Sequence, residues 1–189
     1  MLLSPRKLPE EPLHYSALKF RTAMTARNAD KVHRLLSGVE GERVYDLILE
    51  EQGHENLYIF RDIYLNIEGS VTQYDTLIVF ESGIVVNEIK NFNGRYEVAG
   101  DSWYAPGGTV LADDAPTQLR RAMGKLIRMQ RRAGLDFAVT GKLIFPNENF
   151  SLISREDKLW RQVVLRADLQ DYFRSFMHEY SGEYASKIA

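Results

Sequence analysis

The segment Gln73–Gly94, QYDTLIVFESGIVVNEIKNFNG, decides how the rest of this chain is read. Thr76–Phe80 and Ile84–Val86 are apolar and rich in strand formers. Glu81-Ser82-Gly83 between them supplies turn residues, with Gly83 able to take a positive φ. The segment therefore predicts two antiparallel strands joined by a tight turn. Asp75 opens the first strand, and Glu88-Ile89-Lys90 closes the second. Side chains alternate across a strand, so Glu88 and Lys90 share one face and Ile89 takes the other. Two carboxylates can hold a hard divalent cation through oxygen. A lysine beside them can orient a water and balance charge building on a phosphate. An E-x-K triplet alone is common in a chain with 26% charged residues, usually as the solvated face of a strand. Here it closes a strongly apolar strand, Asp75 lies at the matching end of the partner strand, and the polar Asn91–Gly94 turn follows.

The same residues, extended along the chain, resemble a known family. Gly41-Glu42, Tyr74-Asp75, the run Gly83–Asn91, Gly94, Trp103 and Gln118 together are similar to the NERD (nuclease-related) domain. That family is placed in the PD-(D/E)xK superfamily of metal-dependent nucleases, with the restriction-endonuclease-like fold. The likeness runs from about Leu36 to about Phe145. It departs at Asn87, where a hydrophobic residue usually precedes the motif glutamate. It departs again at Tyr74 in place of isoleucine, and at Ala115-Pro116-Thr117 before Gln118 in place of an Asn-Pro start. The resemblance implies an α/β fold with a mixed central β-sheet flanked by α-helices. It also implies a catalytic set of Asp75, Glu88, Lys90, Gln118 and Glu42. Asp75 and Glu88, joined by Glu42 and the Ile89 carbonyl, would ligate Mg²⁺, with Mn²⁺ as an alternative. Glu42 could equally be structural, since a carboxylate in the first turn of a helix from about Glu40 to Glu51 is favoured by the helix dipole.

Composition bounds the possibilities. A length of 189 residues suits one globular unit with a proper core. We divide it into an N-terminal arm and helix (1–35), the nuclease-like core (36–150) and a C-terminal strand and helix packed on the core (151–189). Cysteine is absent, which removes disulfides, thiolate metal sites and a cysteine nucleophile, and is compatible with a cytoplasmic setting. No apolar run approaches the ~20 residues of a spanning helix, so no membrane partner is expected. The net charge of −2 means that nucleic acid must be gripped by a local basic patch rather than by bulk charge.

One such patch is visible. From about Ala115 to Ala133 the pattern is helical, with Asp113-Asp114 as cap and Gly134 as stop. At about 100° per residue, Leu119, Ala122, Leu126, Met129 and Ala133 form the buried stripe. Arg121, Lys125, Arg128 and Arg132 form a basic stripe on the other side of Gln118. Arg121 and Lys125, flanking Gln118, are read as phosphate contacts; Arg120 and Arg131 are read as solvated. A second basic stretch, Lys19, Arg21, Arg27, Lys31 and Arg34, falls on one or two helices over about 16–36, with Asn28–Asp30 as a break. Pro5, Pro9 and Pro12 mark an extended arm. Asn56–Phe60 and Ile63–Ile67 read as one bent strand, and Trp103 as a packing residue. Leu169, Tyr172, Phe173, Phe176, Met177 and Tyr180 read as a packing helix capped by Asp168 and stopped by Gly182. The four histidines show no metal-ligand spacing.

The sequence thus points to a Mg²⁺-dependent nuclease acting on DNA, with RNA left open as a substrate and homo-oligomerisation left open. The alternative is a nuclease fold that binds or assembles with weak or no turnover. NERD domains are often joined to helicase, kinase or zinc-binding regions, so a third reading makes the chain the N-terminal part of a longer protein.

Overall fold

A computed structural model describes residues 2–4, 6, 25–53, 56–112, 114–180, 182 and 185–186. Pro5, Pro9, Pro12, Lys19, Arg21, Asp113, His14 and His54 lie outside them, as does the predicted helix before residue 25. Of Arg27 only the backbone is described; Lys31 and Arg34 are exposed.

The described elements are β1 (Leu2–Ser4), α1 (Ala26–Gln52), β2 (Tyr58–Ile67), β3 (Ser70–Phe80), β4 (Gly83–Ile89), β5 (Gly94–Ala99), β6 (Ser102–Tyr104), α2 (Ala115–Arg132), β7 (Ala138–Phe145), β8 (Phe150–Ser154), α3 (Asp157–Trp160), β9 (Val163–Leu165) and α4 (Leu169–Arg174). The main sheet has the order β1-β2-β3-β4-β7-β9. β2, β3 and β4 run antiparallel, while β7 and β9 join in parallel. A small sheet, β6-β5-β8, lies beside it. Helices cover both faces of the main sheet, the restriction-endonuclease-like arrangement expected from the sequence. Among the described residues no helix is long and apolar enough to cross a membrane.

Two apolar clusters sandwich the sheet. On the α2 side, Leu77, Val79, Ile84, Val86, Leu143 and Phe145 pack against Leu119, Ala122 and Leu126 of α2 and against Trp103. On the α1 side, Ile78, Phe80, Val85, Ile89 and Ile144 pack against Tyr45, Ile48 and Leu49 of α1 and Leu169 and Phe173 of α4. Val86 and Ile89 face opposite layers, and Trp103 is the packing residue expected, 2% exposed.

Several local expectations need correction. α1 is continuous, so Asn28–Asp30 form its first turn behind the Thr25 cap rather than a break. Thr25 Oγ accepts the Asn28 N–H, the group a helix start leaves unpaired. Gly38 and Gly41 consequently lie within the helix, and Glu42 sits mid-helix, where the dipole argument does not apply. Gly41 is needed for proximity: a Cβ there would fall 2.5 Å from the Cβ of Asn91. Asn91 Nδ2 donates to the Ser37 carbonyl at 2.7 Å, fastening the chain after β4 to α1. Gly83 keeps a negative φ within β4, and what it supplies is room for the Ala138 carbonyl, 2.4 Å from a Cβ built there. In α2, Gln130 rather than Ala133 completes the buried stripe, its Oε1 accepting the Phe137 N–H. Asp114 caps this helix by accepting the Thr117 N–H at 2.7 Å. α4 ends at Arg174, leaving Met177 and Tyr180 exposed, and Asp168 makes no side-chain cap bond.

Two of the three departures at family positions, Asn87 and Tyr74, have physical reasons. Asn87 is fully buried, yet its Nδ2 donates to Tyr45 Oη (2.7 Å) and its Oδ1 accepts from Tyr172 Oη (2.6 Å). A satisfied polar bridge to α1 and α4 thus replaces an aliphatic contact. Tyr74 reaches across to α2, where its hydroxyl donates to the Ala122 carbonyl at 3.0 Å. That bond fixes α2 beside Asp75.

Candidate active site

The geometry at Asp75 begins with a slip in strand alternation. On β2, Phe60 and Ile63 both pack in the α2-side cluster although three residues apart; on β3, Tyr74 and Leu77 do the same. Strict alternation forbids this. The register nonetheless passes unbroken from Arg61↔Thr76 to Ile63↔Tyr74, with Asp62 at φ 49° between. The bent strand expected over 56–67 is thus a single strand with its bend at Asp62. At the slip, Asp75 turns its carboxylate towards β4, where Oδ2 accepts the Ile89 N–H at 2.8 Å.

Glu88 shares the α2 face of β4 with Ile84 and Val86, and Lys90 follows the strand end, its N–H donating to the Ile144 carbonyl. Lys90 Nζ lies 2.7 Å from Glu88 Oε1. α2 runs past this end of the sheet. A polar cleft of about 420 Å³ results, lined by Asp75, Glu88, Lys90, Gln118, Arg121 and Lys125, with Val71–Gln73 along one wall. Four of the five predicted catalytic residues and two of the four members of the predicted basic stripe, Arg121 and Lys125, therefore meet in one place, carried by β3, β4 and α2.

The remainder lie elsewhere. Glu42 does not line the cleft; its Oε2 is 3.0 Å from Nη1 of Arg6. Arg128 and Arg132 both pair with Glu68 in the β2–β3 turn, at 3.3 Å each. Lys125 donates to Ser70 Oγ at 2.9 Å and to Thr72 Oγ1, which draws it to the cleft wall.

Burial, and after it the neighbouring Glu88 charge, pushes the Asp75 carboxyl up to about 7; the Ile89 N–H and Lys90 pull the other way, and Glu42 adds to the rise. A desolvated carboxylate beside a like charge is what a bound cation relieves. Asp75, with one oxygen left over by the Ile89 bond, and Glu88 form a hard-oxygen pair that fits Mg²⁺ or Mn²⁺. The three-acid set expected with Glu42 is not assembled: among the described residues no group of three His, Cys, Asp or Glu side chains is placed to hold a metal ion.

Contacts on the opposite face of the sheet were not foreseen. Glu42, Asp46 and Glu50 recur every fourth residue on α1. Arg6 meets the first two, with Nε 2.9 Å from Asp46 Oδ2. Arg61, 3% exposed, meets the last two, at 3.2 Å from Asp46 and 2.8 Å from Glu50. The i, i+4, i+8 acids were a legible signal for a partnered face; Arg6, in a proline-rich arm, offered none.

A family model, the nuclease-related domain (NERD), matches residues 37–146. No curated protein matches the chain. The match spans more than half of the chain, which therefore belongs to the nuclease-related domain family, within the restriction-endonuclease-like, PD-(D/E)xK superfamily.

Proposed function

We propose that this family member is a metal-dependent nuclease that hydrolyses phosphodiester bonds of DNA. The observation that carries the reading is the convergence of Asp75, Glu88, Lys90, Gln118 and Arg121 in one polar cleft. Asp75 and Glu88, with the Ile89 carbonyl, would hold Mg²⁺ or Mn²⁺. When bound, such an ion supplies Lewis-acid stabilisation of the charge that builds on the phosphoryl oxygens. Lys90 orients the attacking water and balances the pentavalent phosphate through its ammonium, which its 2.7 Å contact with Glu88 holds at the strand end. The Gln118 amide holds the water or the scissile phosphate, and Arg121 and Lys125 hold the flanking backbone. Arg128 and Arg132, already engaged by Glu68, act only as outer contacts.

The test is cleavage of supercoiled plasmid, single-stranded DNA and RNA in Mg²⁺, in Mn²⁺ and in EDTA, with Glu88→Gln in parallel. The expected result is metal-dependent cutting of DNA that falls at least ~100-fold in the variant, the size typical of removing one charge-stabilising group.

One observation favours a second reading, a nuclease fold that binds nucleic acid without cutting it: Glu42 is engaged by Arg6. Metal-independent DNA binding that survives Asp75→Ala and Glu88→Ala together, with no cutting by the parent, would decide for it.

A further inference from the structure

We propose that Arg6 is a built-in cation of this site: it withholds Glu42 from the metal, so that the cleft takes its divalent ion through Asp75 and Glu88 alone. The inference rests on the metal-dependent nuclease reading and refines its ligand set.

Arg6 is brought to the site by backbone pairing. β1 lies parallel to the edge of β2, with Leu2 opposite Ile59 and Ser4 opposite Phe60, two residues before the arginine. Its guanidinium then spans two elements. Nη1 faces Glu42 Oε2 at 3.0 Å, and Nε donates to Asp46 Oδ2 at 2.9 Å. Nη2 donates to the Asp75 carbonyl at 3.2 Å and to Thr76 Oγ1 at 3.3 Å. One side chain thus ties α1 to the backbone of the residue whose carboxylate faces Glu88. The three partners are largely desolvated, with side-chain exposures of 11%, 20% and 14% for Arg6, Glu42 and Asp46.

Two properties of the guanidinium make this more than a packing contact. It keeps its proton at any working pH, so Glu42 and Asp46 face a permanent charge. It also holds its charge in a fixed planar fork, so a second cation on Glu42 Oε2 would meet like charge 3.0 Å from the same oxygen. A metal ion reaching for Glu42 would have to displace Arg6 or sit against it with like charge. The family likeness assigns Glu42 to the ion; these contacts assign it to the arginine.

The probe is Mn²⁺ alone, followed by electron paramagnetic resonance and calorimetric titration on the full chain, with plasmid cleavage recorded alongside. Parent protein binds Mn²⁺, and Glu42→Gln, with Arg6 in place, leaves its Kd within about threefold, since only a distant charge is lost. Arg6→Gln releases Glu42 to the ion and tightens Mn²⁺ by about tenfold, because affinity follows the number of carboxylate ligands. Adding Glu42→Gln to Arg6→Gln removes that gain. Weakening of tenfold or more by Glu42→Gln in the parent background would overturn the proposal, as would an unchanged Kd in a folded Arg6→Gln. Should Arg6→Gln fail to fold, the Glu42→Gln measurement still decides. A folded parent that binds no Mn²⁺ would sink the nuclease reading itself, an outcome distinct from the failure of the Arg6 assignment.

Discussion

Acidic residues crowd both faces of the sheet at the Asp75 end, and the two sets have opposite fates. On the α1 face, Glu42, Asp46 and Glu50 are each met by Arg6 or Arg61. On the α2 face, Asp75 and Glu88 open into a cleft with Lys90, Gln118, Arg121 and Lys125 around it. The difference teaches that residue type does not separate a structural ion network from a candidate catalytic one. What separates them is the partner: arginines answer the α1 acids, whereas Asp75 has a backbone N–H and Glu88 a lysine, both beside a polar cleft. On the first face each acid has an arginine partner; on the second, burial and then the Glu88 charge push the Asp75 carboxyl up to about 7.

The comparison can be broken at three points. If the α1 face is structural, Arg61→Ala leaves Asp46 and Glu50 with less cationic cover and destabilises the fold by about 3 kcal/mol, the lower end for breaking a buried pair. Urea denaturation would measure it, and a loss below about 1 kcal/mol would mean that the network is dispensable.

If the cleft face carries unrelieved charge, Asp75→Asn stabilises the metal-free protein at high pH. A carboxyl with a raised folded-state pKa stays protonated longer in the native state, so native stability declines as pH rises from about 4, the ordinary range, through about 7. Asp75→Asn should therefore be more stable than the parent at pH 8, by up to about 4 kcal/mol for a rise from about 4 to about 7, and gain almost nothing at pH 4. Thermal unfolding at the two pH values reads this directly, and an equal shift at both would refute the charge argument. Saturating Mg²⁺ should cancel the pH 8 advantage by stabilising the parent.

The smallest effect belongs to the rim. Arg121→Ala should weaken DNA binding by about 1 kcal/mol and lower the slope of log K against log salt by about one, as a lost phosphate contact does. Arg132→Ala, already paired with Glu68, should change neither measurably. Fluorescence anisotropy over a salt series would distinguish them, and equal effects would return the whole basic stripe to the interface.

How much of this could be read beforehand follows the range of the interactions involved. The β3–β4 hairpin, the E-x-K strand end and the α2 stripe are written in local periodicity, and local periodicity survives in a bare sequence. The apolar character of β4 on both faces also implied two covering layers, which α1 and α2 supply. The rest depended on contacts between distant segments. The constraint on Gly41, the Asn91 side chain, is fifty residues on and so leaves no local trace. The slip at Asp62 and Asp75 is invisible to an alternation rule, since both strands shift together and their register is kept. Glu42 looked like a metal ligand because the arginine that claims it comes from a segment with no periodicity at all. Met177 and Tyr180 repeat at helical spacing, yet α4 stops before them and leaves them exposed.

The central claim, that the cleft on the α2 face is a hydrolytic centre, is tested most directly by single-turnover cleavage of supercoiled plasmid with parent and Lys90→Ala protein in Mg²⁺ and in EDTA. Lys90 Nζ lies 2.7 Å from Glu88 Oε1, so its loss removes the charge-balancing group and keeps both proposed ion-holding carboxylates. The account predicts Mg²⁺-dependent nicking by the parent and a rate at least ~100-fold lower in the variant, with Mn²⁺ binding retained. Equal rates in parent and variant would contradict it.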